Sequence, residues 1–285
     1  MIISGFMKSK TPKARPGGRI PRQVLPASGP SVEFPPAWTW FFDECLPGWV
    51  KDRYAPNERW RGKPFSVEDA KFFLRGVREL SDLFTDARPR NLPDYLSQPK
   101  FRSSYLLYFL PLQAAKFVSL FGLHPKAVDS ALDRARESGV LRVADLGAGP
   151  ATASIALLLH LLGRKDELPG TIEFVLFDRN ASILKDGAAL IERISESFPR
   201  SRGRVRVRSV SGDLWPALLR ERDPFSLSIF GHALNESFPT RDGEPDPRPF
   251  RHLFSLTEKG GGTLWAEPAS RVPSQTLSKL RDFLI

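Results

Sequence analysis

A chain of 285 residues is long enough to bury a sizeable core and to hold one or two domains. Its single cysteine excludes an internal disulfide framework and fits a reducing compartment, cytoplasmic or mitochondrial matrix, and its four scattered histidines give no zinc-type spacing, so no metal is expected. A formal net charge of +10 points to a polyanionic partner, nucleic acid first. No apolar run reaches bilayer-spanning length and no secretory signal opens the chain, so no membrane partner is expected.

Residues 1–31 carry Lys8, Lys10, Lys13, Arg15, Arg19 and Arg22 and no acid, broken by prolines and glycines. This reads as a disordered basic arm: an RNA contact, a transit peptide or an inert tail. Residues 32–139 read as a helical segment. Trp38, Trp40, Trp49 and Trp60 cluster at its start. They read as core packing, with base stacking the alternative. Ser66-Val67-Glu68-Asp69 resembles a capping box before an apolar pattern at Phe73, Val77, Leu80 and Phe84, which predicts one amphipathic helix. After Pro93 and Pro99, a helix over Ser104–Lys116 is expected to kink or restart at Pro111. A further helix begins at Pro125 and stops at Gly139.

From residue 140 to 285 the pattern changes to alternating strands and helices. Val143-Ala144-Asp145-Leu146 reads as a strand, Gly147-Ala148-Gly149-Pro150 as a tight turn, and Ala151 to about Leu162 as a helix. This is the unit that grips nucleotide-like cofactors, and the helix N-terminus offers free N–H groups to an anion. Thr152 stands where a dinucleotide fingerprint wants its third glycine, which argues against a dehydrogenase. A second strand, Thr171–Phe177, ends at Asp178, placed for ribose hydroxyls or for an Asx turn. A third, Val205–Val210, leads into Gly212-Asp213-Leu214. A fourth, Phe225–Phe230, leads into Gly231-His232-Ala233-Leu234-Asn235-Glu236. A fifth, Gly262–Ala266, ends at Glu267-Pro268.

An acid followed by G-x-G, with further acids at the ends of the next two strands, resembles the class I S-adenosylmethionine (SAM) methyltransferases. Ala151 takes the place of that superfamily's usual third glycine. The resemblance implies an α/β fold, a Rossmann-like class I methyltransferase sheet, preceded here by an all-α segment. It places SAM against Asp145, Gly147, Gly149, Asp178, Asp213, Leu214 and Gly231. It places the methyl acceptor near His232, Asn235 and Glu236, where His232 reads as a general base or as a loop histidine satisfying backbone groups. The Asn-Pro-Pro-aromatic run of enzymes acting on exocyclic amino groups is absent. The superfamily sheet has seven strands and only five are legible, so the fifth is expected to be a bare apolar edge. That edge implies a truncated chain, or cover by another element, a partner or self-association.

Within the superfamily, Ser104-Tyr105-Leu106, the Asp145–Ser154 run, Gly231–Glu236, Glu267-Pro268 and Leu280–Leu284 resemble the methyltransferase-like family of the mitochondrial small ribosomal subunit and its bacterial relatives. That resemblance implies work on or with small-subunit ribosomal RNA. The protein is then an RNA-directed methyltransferase or a non-catalytic assembly factor retaining the pocket, with a small-molecule methyltransferase as the other reading. Arg200, Arg202, Arg204, Arg206 and Arg208 alternate along the third strand and its approach. They read as a phosphate-contacting stripe or as charge protecting a sheet edge.

Overall fold

The structure is a computed structural model that describes the backbone of Ile2–Ile3 and residues 34–85, 95–232, 240–241, 244–246, 248–267, 275, 277–278 and 280–282. Most of the basic arm therefore lies outside the described residues. Its two described residues, Ile2–Ile3, form a short strand, β1.

The helical segment begins with α1, residues 36–54, which runs through a wider π-type turn at Trp40–Cys45 and continues as Leu46–Tyr54. α2 (Val67–Phe73) starts at the expected capping box. The Asp69 N–H donates to Ser66 Oγ at 3.2 Å, and the Ser66 N–H donates to Asp69 Oδ2 at 2.7 Å. The predicted single helix is in fact two, since residues 74–76 form a turn before α3 (Val77–Thr85). α4 runs from Pro99 to Leu123, with a second π-type turn at Tyr105–Phe109. That turn stands just ahead of Pro111, so the expected kink is absorbed and the helix stays continuous. The fused helix is long and apolar enough to cross a membrane by length and composition alone, unlike the shorter runs read from the sequence. Its inward side, including Leu106, Leu110, Phe117 and Phe121, is buried in the core. α5 (Pro125–Ser138) ends as predicted on Gly139 at φ +79°.

The remaining elements are β2 (Val140–Leu146), α6 (Thr152–Gly163), β3 (Thr171–Asp178), α7 (Ala181–Ser197), β4 (Val205–Ser211), α8 (Leu214–Leu218), β5 (Phe225–Gly231), a two-residue pair β6 (Thr240–Arg241) and β7 (Glu244–Pro245), α9 (Arg248–Ser255) and β8 (Thr257–Ala266). The main sheet is wholly parallel, in the order β1-β8-β5-β2-β3-β4. After the edge strand β1, the chain enters the middle of the sheet at β2, moves out to β4, then returns to β5 and β8. This is the doubly wound, Rossmann-like arrangement, and its topological switch point lies between β2 and β5. The fifth strand of the sequence reading, β8, is not wholly bare: Ile2 and Ile3 pair beside Leu264 and Trp265.

Parallel strands covered on both faces read as near-continuous apolar runs, and β2 is buried at six of its seven positions. The polar residues among them are Asp145 and Arg142. The Arg142 guanidinium is held by Glu173 at 2.8 Å and Glu221 at 3.2 Å, and it lies 4.5 Å from the Phe225 ring centre. One face of the sheet shares a core with the helical segment, which joins Phe41, Leu106 and Phe121 to Val143 and Leu176. The tryptophans near the start pack there, with Trp38 4.2 Å from Phe42 and Trp40 5.0 Å from Phe198. The other face is covered by α8, α9 and the helical residues Leu277 and Leu280.

Candidate functional site

β2 ends at Leu146, and the chain must turn into α6 within five residues. Gly147 at φ +74° and Gly149 at φ +52° take left-handed backbone angles that a Cβ resists. A side chain on Gly149 would meet open space, so the turn is open to a ligand on that side. Ala151 also sits at φ +60°, at the N-cap of α6, where an alanine costs about 1–2 kcal/mol relative to ordinary helical angles. Ala151 thus occupies a position whose backbone angle favours glycine.

Hydrogen bonds to the neighbouring strand hold this turn. The N–H groups of Gly147 and Ala148 donate to the Phe177 carbonyl at 2.9 and 2.8 Å. The Gly149 N–H donates to Asp178 Oδ2 at 2.9 Å. From beneath, buried Asp145 accepts the Ser154 N–H at 3.0 Å and the Ser154 hydroxyl at 2.7 Å. Burial pushes the Asp145 carboxyl up to about 6; the Ser154 bonds oppose the rise and the charge of Asp178 adds to it. Asp145 was expected to face the cofactor. It lies buried beneath the turn, with one carboxyl oxygen accepting both Ser154 donors.

Asp178 is the meeting point. Besides Gly149, its carboxylate accepts the Asn180 N–H at 2.9 Å, which is the Asx turn of the sequence reading. The Asp178 carbonyl accepts the Gly212 N–H at 3.1 Å, which brings the next residue, exposed Asp213, to the same corner. Leu214, behind it, is buried. Gly149, Asp178 and Gly212-Asp213 therefore converge at the carboxyl ends of β2, β3 and β4. A Cβ at Gly149 or Gly212 would meet nothing within 4 Å, so the corner flanked by Asp178 and Asp213 is open beside both glycines.

The far side of the expected site is different. A Cβ on Gly231 would stand 2.8 Å from the Phe117 ring, so this glycine admits α4 and is not left for a ligand. His232, at φ +60°, uses its N–H to bond the Ala266 carbonyl at 2.8 Å, tying the end of β5 to the end of β8. Asn235 and Glu236 lie outside the described residues.

The arginine stripe also changes. Arg200 and Arg202 precede β4 and donate to main-chain carbonyls, Arg200 to Leu162 at 3.0 Å and Arg202 to Glu196 at 2.9 Å. Arg204 donates to the Leu168 carbonyl at 3.0 Å, and Arg208 pairs with Glu221 at 2.7 Å. Arg206 is the exposed member in the strand, and β4 is the edge of the sheet.

Reasoning from sequence missed Gly187 of α7. A Cβ there would lie 2.6 Å from the Pro150 carbonyl carbon, so glycine lets α7 approach the turn. A lone glycine inside a helical pattern was its only local signal.

No protein-family model matches the chain, and no curated protein matches it. Among solved structures, MnmC2 from Aquifex aeolicus overlaps 54% of this chain and 52% of its own, at 19% identity and a TM-score of 0.35. The C-terminal domain of precorrin-6Y C5,15-methyltransferase from Rhodobacter capsulatus overlaps 53% of this chain and 66% of its own, at 16% identity and a TM-score of 0.31. The chain thus spans about half of the first structure and two thirds of the second. At such similarity the class rests on this chain's own strand order and glycine turn: an α/β protein with a doubly wound, Rossmann-like sheet.

Proposed function

We propose that the chain is a SAM-dependent methyltransferase, or a methyltransferase-like protein that keeps the SAM pocket, working on small-subunit ribosomal RNA. The observation that carries the cofactor reading is the convergence on Asp178. An acid at the end of the second strand, bonded to the glycine turn and joined to Asp213, is suited to a ribose and its base. Bound SAM supplies an electrophilic methyl group on a sulfonium. The chain's part is to position it: Asp178 accepts hydroxyl donors, the glycine turn admits close approach, and the Asp145–Ser154 brace keeps the turn from collapsing. RNA as partner is supported by the net charge of +10 and by the family resemblance. One observation favours a small-molecule acceptor instead: four of the five stripe arginines already bond carbonyls or Glu221.

Titration calorimetry with SAM tests the cofactor reading. Asp178→Ala loses charge-assisted hydrogen bonds and is expected to weaken binding by about 1.5–3 kcal/mol. Asp178→Asn keeps an acceptor for Gly149 and is expected to lose less. Wild-type affinity in Asp178→Ala, with an unchanged melting temperature, overturns the assignment.

A further inference from the structure

The carboxylate of Asp186 stands outside the corner formed by Gly149, Asp178 and Asp213. It lies on α7 and its side chain is fully buried. A carboxylate buried alone is so unfavourable that such groups are paired or neutralised. Here three donors surround it. Arg53 Nε donates at 3.0 Å, Arg102 Nη1 at 3.2 Å, and the Tyr54 hydroxyl donates as well. The Arg102 guanidinium also lies 5.3 Å from the Tyr54 ring centre. Burial and the Asp186 charge push the Tyr54 pKa upward, so its hydroxyl stays a donor. Arg53 and Tyr54 come from the end of α1, and Arg102 from the first turn of α4. All three belong to the helical segment, 84–133 residues away in sequence.

The next residue along α7 is Gly187. It presses bare backbone against Pro150 and Ala151, with an added Cβ falling 2.6 Å from the Pro150 carbonyl carbon and 2.9 Å from the Ala151 Cβ. Ala151 is also the strained position of the turn, at φ +60°. Strain of this kind persists only where the surroundings over-determine it. The surface that confines Pro150 and Ala151 is therefore one residue from the carboxylate that anchors α7 to the helical segment.

We propose that Asp186 is a positioning residue: it latches the helical segment onto α7 and, through Gly187, holds the Pro150–Ala151 side of the cofactor turn in place. A buried ionic contact adds little net stability over an apolar one, but it fixes orientation, because each donor must meet a particular oxygen. Without the latch, α7 is free to shift relative to the turn while the sheet beneath stays intact. That the turn holds a cofactor rests on the proposed SAM function; the latch itself rests on the contacts.

Hydrogen–deuterium exchange of the amides of residues 147–154 tests it, on the full chain without cofactor, with SAM calorimetry in parallel. Asp186→Asn removes the charge at nearly constant size, and Tyr54→Phe removes one donor. Arg142→Met breaks a buried ionic network near the start of β2 and is the control for general destabilisation. Exchange in the turn is expected to quicken about tenfold in Asp186→Asn, the effect of one lost charge-assisted bond, less in Tyr54→Phe, and not at all in Arg142→Met. SAM affinity is expected to fall in the same order. Wild-type exchange in both Asp186→Asn and Tyr54→Phe overturns the latch, as does equal quickening in Arg142→Met. If Asp186→Asn fails to fold, Tyr54→Phe against Arg142→Met decides the question alone. Altered exchange in a protein whose wild type binds no SAM supports the latch and overturns the cofactor reading.

Discussion

Asp145 shows how a single buried side chain can hold a turn in shape. Its carboxyl lies under the glycine turn with both Ser154 donors on one oxygen. Its folded pKa of about 6 lies above the ordinary carboxylate value of about 3.9, so the folded protein holds this proton more tightly than the unfolded chain. The resulting stabilisation is full below about pH 4. It is lost as pH rises to about 6, an effect on the order of 3 kcal/mol for a shift of about two units. Asp145→Asn carries no such titration. The variant's urea midpoint is expected to gain on the wild type between pH 4 and 6 and to run parallel to it above. Urea titrations from pH 4 to 7.5 check this, and a difference that does not vary with pH overturns it.

At the level of elements, the break between α2 and α3 shows a helix interrupted for the sake of a neighbour. Gly76 passes so close to α4 that an added Cβ would lie 2.9 Å from Ser104 Oγ. The backbone groups freed by the break are taken up by α4 side chains. The Gly76 N–H donates to Ser104 Oγ at 3.0 Å. The Phe73 carbonyl accepts from both Ser103, at 3.1 Å, and Ser104, at 2.8 Å. Buried backbone groups need partners. Ser104→Ala orphans the Gly76 N–H and is expected to cost about 2 kcal/mol. Ser103→Ala is expected to cost less, since Ser104 still serves the carbonyl. Urea midpoints of the two variants rank them, and a larger loss in Ser103→Ala contradicts this account. The capping box at Ser66 was legible because its donors and acceptors lie three residues apart. The break was not, because its cause is about 28 residues further along the chain and leaves the apolar spacing undisturbed. The π-type turn ahead of Pro111 is similar: the proline was legible, but not the widening that accommodates it.

For the molecule as a whole, the open question is what the surplus positive charge meets. Phosphate contacts release counterions, so RNA affinity is expected to fall with salt at a log–log slope near −0.7 per phosphate neutralised on single strands. Arg206, the exposed arginine of the edge strand, is the test position. Arg206→Ala is expected to flatten that slope by about 0.7, and about equally for unrelated sequences, because such contacts carry no base information. Arg204→Ala removes a carbonyl partner of Leu168 and is expected to act on stability instead. Filter binding across a salt series reads both. Wild-type slopes in Arg206→Ala, together with weak RNA binding by the intact chain, move the acceptor toward a small molecule.

The sequence by itself determined the parts whose physics is local. Strand ends, the glycine turn, Asp178 at the close of β3 and the stop at Gly139 are all encoded by periodicity and turn chemistry within a few neighbouring residues. Alternating strands and helices limit the possible topologies, and the resemblance to the class I methyltransferases implied the Rossmann-like sheet. Only the tertiary structure decided which of those residues are taken up by contacts within the protein. Gly231 belongs to Phe117, Asp145 to Ser154, and most of the arginine stripe to nearby carbonyls. The latch at Asp186 was likewise invisible, because Arg53 and Asp186 stand 133 residues apart and neither carries a local mark of the other. Close packing makes such pairs, and packing is a property of the folded chain.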